Sequence, residues 1–264
     1  MNYNGVINKY KRCINKMKID FYYWSYQCPI NLEILELLDE YNDRFDISTY
    51  NIEEDFNLAK NQKIFFPFLT VVDGKERFKA PINRSFLNKL LNGEKCVERP
   101  YIIDFGTEQY KGNIIPLTKN SISLTSSKCT LTNSCDSCNK KAVFLSKYCD
   151  DVFGYLNVED EKVLGGVEYI PTNYVPYDIP KNEDYAFLTC LYHSSTQYDY
   201  KHYPLMELEK HLKNKYTRIY AITDEIGTFP NGNLKWFLEH GFTDEGVIAS
   251  EENYCKLHLV CKEI

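Results

Sequence analysis

From residue 18 onward, hydrophobic and polar positions alternate with recognisable periods. KIDFYYW is an aromatic and β-branched run, and after the turn at CPIN the stretch LEILELLDEY carries apolar residues at 32, 34, 35, 37 and 38, the spacing of one helix face. RFDISTYNI then reads as a strand and EEDFNLAK as an acidic start leading into a helix. FFPFLTVVDGKERFKAP predicts a strand opening at Pro67, a tight turn at Asp73-Gly74 and a return strand; NRSFLNKLLNG predicts a helix stopped by Gly93. The expected order over residues 1–95 is βαβαββα. Residues 96–112 break the periodicity with Pro100, Gly106 and Gly112 and predict a linker.

Residues 113–264 read as a second, mixed α+β unit. NIIPLT is a short strand ending at Thr118, whose hydroxyl can cap a following helix. VFGYLNVEDEKVLGGVEYIP predicts two strands across the acidic turn Glu159-Asp160-Glu161. DYAFLTCLYHSS is a strand, PLMELEKHLKNK a helix, RIYAIT a buried strand, GNLKWFLEHGF a helix ending at Gly241, and YCKLHLVCKEI the final strand. The order is β, helices, β, β, β, α, β, α, β.

A chain of 264 residues has room for two cores, and 44% apolar with 26% charged residues excludes a disordered chain, a collagen and a coiled coil. A net charge of −6 argues against a nucleic-acid surface spread over the molecule. No apolar run approaches the roughly 20 residues that span a bilayer, and the start MNYNGVINKYKR lacks a signal peptide's apolar stretch, so a cytoplasmic protein without membrane contact is expected. Ten cysteines in such a setting are expected as reduced thiols. Cys129, Cys135, Cys138 and Cys149 follow C-x5-C-x2-C-x10-C spacing. A zinc or other soft-metal site, a redox response and plain packing all remain open for them; only Cys135 and Cys138 form a recognised pair, so no metal ligand is assigned.

The βαβαββα order, with Cys28-Pro29 at the mouth of the first helix and Pro67 before the third strand, resembles the thioredoxin-like fold over residues 18–93. In that family the matching cysteine is a nucleophile, because a helix N-terminus favours thiolate, and the proline matching Pro67 is cis. Asn31 stands where a resolving cysteine would be, which disfavours a dithiol oxidoreductase. Cys28 is left with a monothiol role, a role in binding a thiol-bearing partner, or none on a docking module.

Residues 113–264 resemble the GNAT superfamily of N-acetyltransferases. LTCLYHSSTQYDYKHYPLMELEKHL matches its fourth strand and diphosphate loop, and WFLEHGF matches the ending of its fourth helix. GGVEYIPTNYVPYDI and the FYYWSYQCP segment are similar to YoaP-type acetyltransferases, with the two modules in reversed order. The resemblance implies acetyl-CoA lying along the fourth strand, with backbone support near Cys190 and Leu191. It places the diphosphate at Gln197 and Tyr200, Lys201, His202 and Tyr203. Tyr200 and His202 replace two loop glycines, leaving backbone donors and the charge of Lys201 and His202. Phe237 replaces a proton-donating tyrosine. Glu168 is the implied base for the amine, and His193 is placed to contact the acyl group or act as base. The implied activity is transfer of an acetyl group to a small-molecule or peptide amine. The alternatives are a non-catalytic two-domain binding protein, or a thiol or soft-metal handling protein using Cys28.

Overall fold

The computed structural model describes residues 16–126 and 135–264. The first half contains β1 (Lys18–Tyr23), α1 (Ile30–Asp39), β2 (Asp46–Asn51), α2 (Phe56–Asn61), β3 (Phe68–Val72), β4 (Glu76–Phe78) and α3 (Arg84–Leu91). Its four-stranded sheet has the order β2-β1-β3-β4, with β1 and β2 parallel and the other neighbours antiparallel. Asp73 and Gly74 both take positive φ, which makes the tight β3–β4 reversal. Asn83 caps α3 by accepting the N–H of Phe86 at 3.0 Å, and Gly93 at φ +71° ends its last turn.

The second half contains β5 (Asn113–Leu117), α4 (Cys135–Leu145), β6 (Gly154–Glu159), β7 (Lys162–Pro171), β8 (Tyr185–His193), α5 (His202–Leu212), β9 (Arg218–Asp224), α6 (Leu234–Glu239), β10 (Thr243–Glu251) and β11 (Cys255–Glu263). These strands form one seven-stranded sheet ordered β10-β11-β9-β8-β7-β6-β5, in which β8 and β9 are the only parallel neighbours. The sequence reading lacked β10. Its stretch TDEGVIASE has the polar, largely exposed surface of an edge strand and offers no apolar alternation to read.

Trp24, 1% exposed, leaves the end of β1 and inserts into the second half. Its ring lies 5.8 Å from Phe144 and 5.1 Å from Tyr177, both edge-on. Phe66 stacks on Phe229 at 5.5 Å, and Glu53 accepts from Tyr148 and from Lys147. One hydrophobic core therefore runs from the end of the first sheet into the second. Residues 96–112 strap the two halves together: Glu98 accepts the N–H groups of Lys79 and Ala80, Thr228 N–H donates to Tyr101 O at 2.8 Å, and Gly106 N–H donates to Thr196 O at 2.7 Å. Gly106 has no alternative residue, because a Cβ there would sit 2.0 Å from the Gln197 carbonyl oxygen.

The resemblance led us to expect a cis Pro67. The cis peptide among the described residues is instead Phe229-Pro230, so that expectation is corrected. Cys13 and Cys129 lie outside the described residues. No helix among the described residues is long and apolar enough to cross a membrane.

Candidate active site

The site begins where β8 and β9 part. Their ladder pairs only Tyr185–Phe187 with Arg218–Tyr220. Beyond it the strands fork, and Asn231 spans the opening, its amide donating to Ile222 O at 3.0 Å and Leu188 O at 3.5 Å. On its other edge β8 bulges against β7: Glu168 faces Cys190 and Tyr169 faces Leu188, which makes Thr189 the extra residue. The carbonyl that the bulge turns outward is taken by the first half, since Gln27 Nε2 donates to Thr189 O at 3.0 Å.

This contact closes a cavity of about 50 Å³, room for one or two waters. Gln27, Cys28 and Pro67 line it from the first half; Lys141, Thr189, Cys190 and Asn231 line it from the second. Cys28 is half-buried at the entry to α1. Asn31, where a resolving cysteine would stand, is fully buried and staples the motif by donating to Ser25 O at 2.9 Å and Pro67 O at 3.3 Å. Phe229 lines both this space and a second cavity of about 340 Å³, whose other walls include Phe66, Arg99, Tyr101, Asp224 and Tyr254.

Glu168 is fully buried on β7, and Lys141 Nζ from α4 reaches it at 2.7 Å. Burial pushes the Glu168 carboxyl above its ordinary range, while the Lys141 ammonium opposes that shift. Glu168 thus meets the cavity through Lys141. Sequence reasoning named Glu168 and missed Lys141, which stands three residues after buried Cys138 and four before buried Leu145 on the same helix face. A lysine on that face is visible only once the helix register is known.

At the start of α5, Asp199 takes the first backbone N–H groups. Its Oδ1 accepts the N–H groups of Lys201 at 2.9 Å and His202 at 3.2 Å, and its Oδ2 accepts Trp236 Nε1 at 2.8 Å. Burial alone would raise the Asp199 pKa, but bonds from His240, Trp236 and the Lys201 N–H outweigh it and hold the carboxyl at about 2. Lys201 is buried with Nζ 4.2 Å from the Trp236 ring centroid. Burial lowers its pKa to about 8, against the pull of Asp199. Tyr200 is buried, and its backbone packs so closely on Gly165 that a Cβ there would lie 2.6 Å from Tyr200 O. Gln197 is exposed, and Tyr203 lies half-buried under Lys111.

The residues named from sequence therefore fall in three places. Cys28 and Cys190 share the cavity at the fork, with Leu191 next on β8 and Glu168 behind Lys141. Gln197 to Tyr203 form the α5 entrance. His193, at the end of β8, does not line the cavity; its ring meets Phe105 edge-on at 3.9 Å. Burial, aided by Lys201, lowers its pKa to about 4, so at neutral pH it is an uncharged, weak base. Phe237 is a core residue with no exposure. Sequence reasoning also missed Gln27, Asn231, Asp199 and His240, polar residues whose roles arise from contacts distant in sequence.

No family model matches the chain, and no curated protein matches it significantly. Part of the chain is similar to solved structures that include acetyltransferases. Ribosomal-protein-alanine N-acetyltransferase from Brucella melitensis is 14% identical with a TM-score of 0.42, over 58% of this chain and 99% of that one. A GNAT-family acetyltransferase from Streptococcus pneumoniae is 14% identical with a TM-score of 0.42, over 58% and 98%. The aminoglycoside 6'-N-acetyltransferase from Enterococcus faecium is 13% identical with a TM-score of 0.39, over 57% and 96%.

Proposed function

We propose that the chain is an acyl-CoA-dependent N-acyltransferase acting on a small amine, with its reaction centre at the β8–β9 fork. The fork itself carries this reading: the one parallel pair of the large sheet opens beside a bulge, onto a cavity holding Cys190 and the Lys141–Glu168 pair. Bound acyl-CoA would supply the activated acyl group. The residues suit its two ends differently. Backbone near Cys190 and Leu191 suits the thioester end. The diphosphate end is poorly served, since the N–H groups of Lys201 and His202 already donate to Asp199.

The chain's own residues then divide the remaining work. The 340 Å³ cavity has the size and the aromatic walls, with Asp224 among them, to take the body of an amine. Glu168, its carboxyl raised by burial, accepts the proton the amine must lose, relayed through Lys141. Gln27 and Cys28, brought by the first half, close the centre to solvent. The reading is tested by acetyl-CoA consumption against a panel of primary amines, in wild type and Glu168→Gln. Turnover with at least one amine, lost in the variant, supports it; no turnover with any amine opposes it.

A second reading, a two-domain binding protein without turnover, is favoured by two observations. Asn231 bridges the fork, and Asp199 takes the anion-binding N–H groups. Acetyl-CoA binding separates the two readings.

A further inference from the structure

We propose that Asp199, His202 and His240 form a binding site for a zinc-class divalent cation. The three come from different segments: the loop after β8, the first residue of α5, and the residue following α6. One ligand atom from each lies within 4.8 Å of the others.

A hydrogen bond turns the His240 imidazole toward the carboxylate. His240 Nδ1 lies 2.7 Å from the carbonyl oxygen of Trp236, an acceptor, so Nδ1 carries a proton. Nε2 then faces Asp199 Oδ2 at 3.3 Å, a contact that needs something positive between the two atoms. A proton on Nε2 would satisfy that contact. It would leave His202 unexplained, because His202 Nδ1 is enclosed within the protein and has no hydrogen-bond partner, while the two rings lie 5.1 Å apart. A single cation serves all three groups.

The dimensions agree. Ligand bonds of about 2.0–2.1 Å in tetrahedral geometry separate neighbouring ligand atoms by about 3.3–3.4 Å. The Asp199–His240 edge already has this length, and the edges to His202 are no longer than 4.8 Å. The second shell is also in place: Trp236 O fixes the His240 tautomer, and Trp236 Nε1 with two backbone N–H groups orients the Asp199 carboxylate. Two imidazoles and a carboxylate suit Zn²⁺ and its neighbours better than a hard cation such as Mg²⁺.

The test is titration of the reduced, metal-free full chain with Co²⁺, followed by displacement with Zn²⁺. The expected result is one equivalent bound, with visible d–d absorption and no thiolate charge-transfer band, and affinity at least tenfold lower in both His202→Ala and His240→Ala. His202→Ala decides the matter if His240→Ala fails to fold, since the His202 ring nitrogen breaks no hydrogen bond when removed. Absence of saturable binding, a thiolate charge-transfer band marking the cysteines as ligands, or unchanged affinity in His202→Ala would each overturn the proposal.

Discussion

The amide of Gln27 donates to the carbonyl of Thr189 at 3.0 Å, joining the turn before α1 to the bulge of β8 across 162 residues of sequence. Both residues are buried, so removing the donor strands a carbonyl that water reaches poorly. Gln27→Ala is expected to lower stability by about 1–3 kcal/mol in chemical denaturation. An unchanged midpoint would mean that the halves are held together by the aromatic contacts of Trp24 and Phe66 alone.

The Lys141–Glu168 pair should be costly to break from either side. Lys141→Met or Glu168→Leu alone leaves an unpaired buried charge and is expected to cost about 3–5 kcal/mol, whereas the double replacement should recover most of that loss. A double-mutant cycle by urea denaturation checks this. Additive single losses would show that the two groups act independently despite their 2.7 Å separation.

His193 gives a pH signature. Its folded pKa of about 4 lies below the ordinary value of 6.5, so its contribution is fully present above pH 6.5. As pH falls, the unfolded chain gains the proton first, and stability declines until about pH 4, by up to roughly 2–3 kcal/mol. The His202 pKa is also lowered by burial and adds to the wild-type slope in the same direction. His193→Gln should flatten the decline between pH 6.5 and 4. An equal slope in the variant would assign it elsewhere.

Cys28 is half-buried against the cavity that Gln27 closes between the two halves. Brief iodoacetamide treatment of the native protein should modify it far more slowly than the same residue in urea, as read by peptide mass spectrometry. Rapid native labelling would show that the halves part readily enough to expose the fork.

The first half was legible because its turns announce themselves. Asp73-Gly74, Asn83 and Gly93 are local signals, and they mark the elements that form. The second sheet was readable for the same reason except at β10, whose residues are set by its edge position. The site was readable only in part. Cys28, Glu168 and Cys190 belong to short motifs, whereas Lys141, Asn231 and Gln27 owe their importance to docking of segments far apart in the chain. His193 illustrates the opposite error: a histidine after a strand reads as a base, and burial beside Phe105 and Lys201 makes it a poor one.

The central claim is that the β8–β9 fork takes an acyl thioester, and calorimetric titration of the full chain with acetyl-CoA tests it most directly. The account predicts saturable binding of one acetyl-CoA per chain, with affinity reduced by the Asp199 carboxylate at the diphosphate end. No heat of binding at acetyl-CoA concentrations of about a millimolar, where a site weaker than roughly 4 kcal/mol would stay empty, would contradict it.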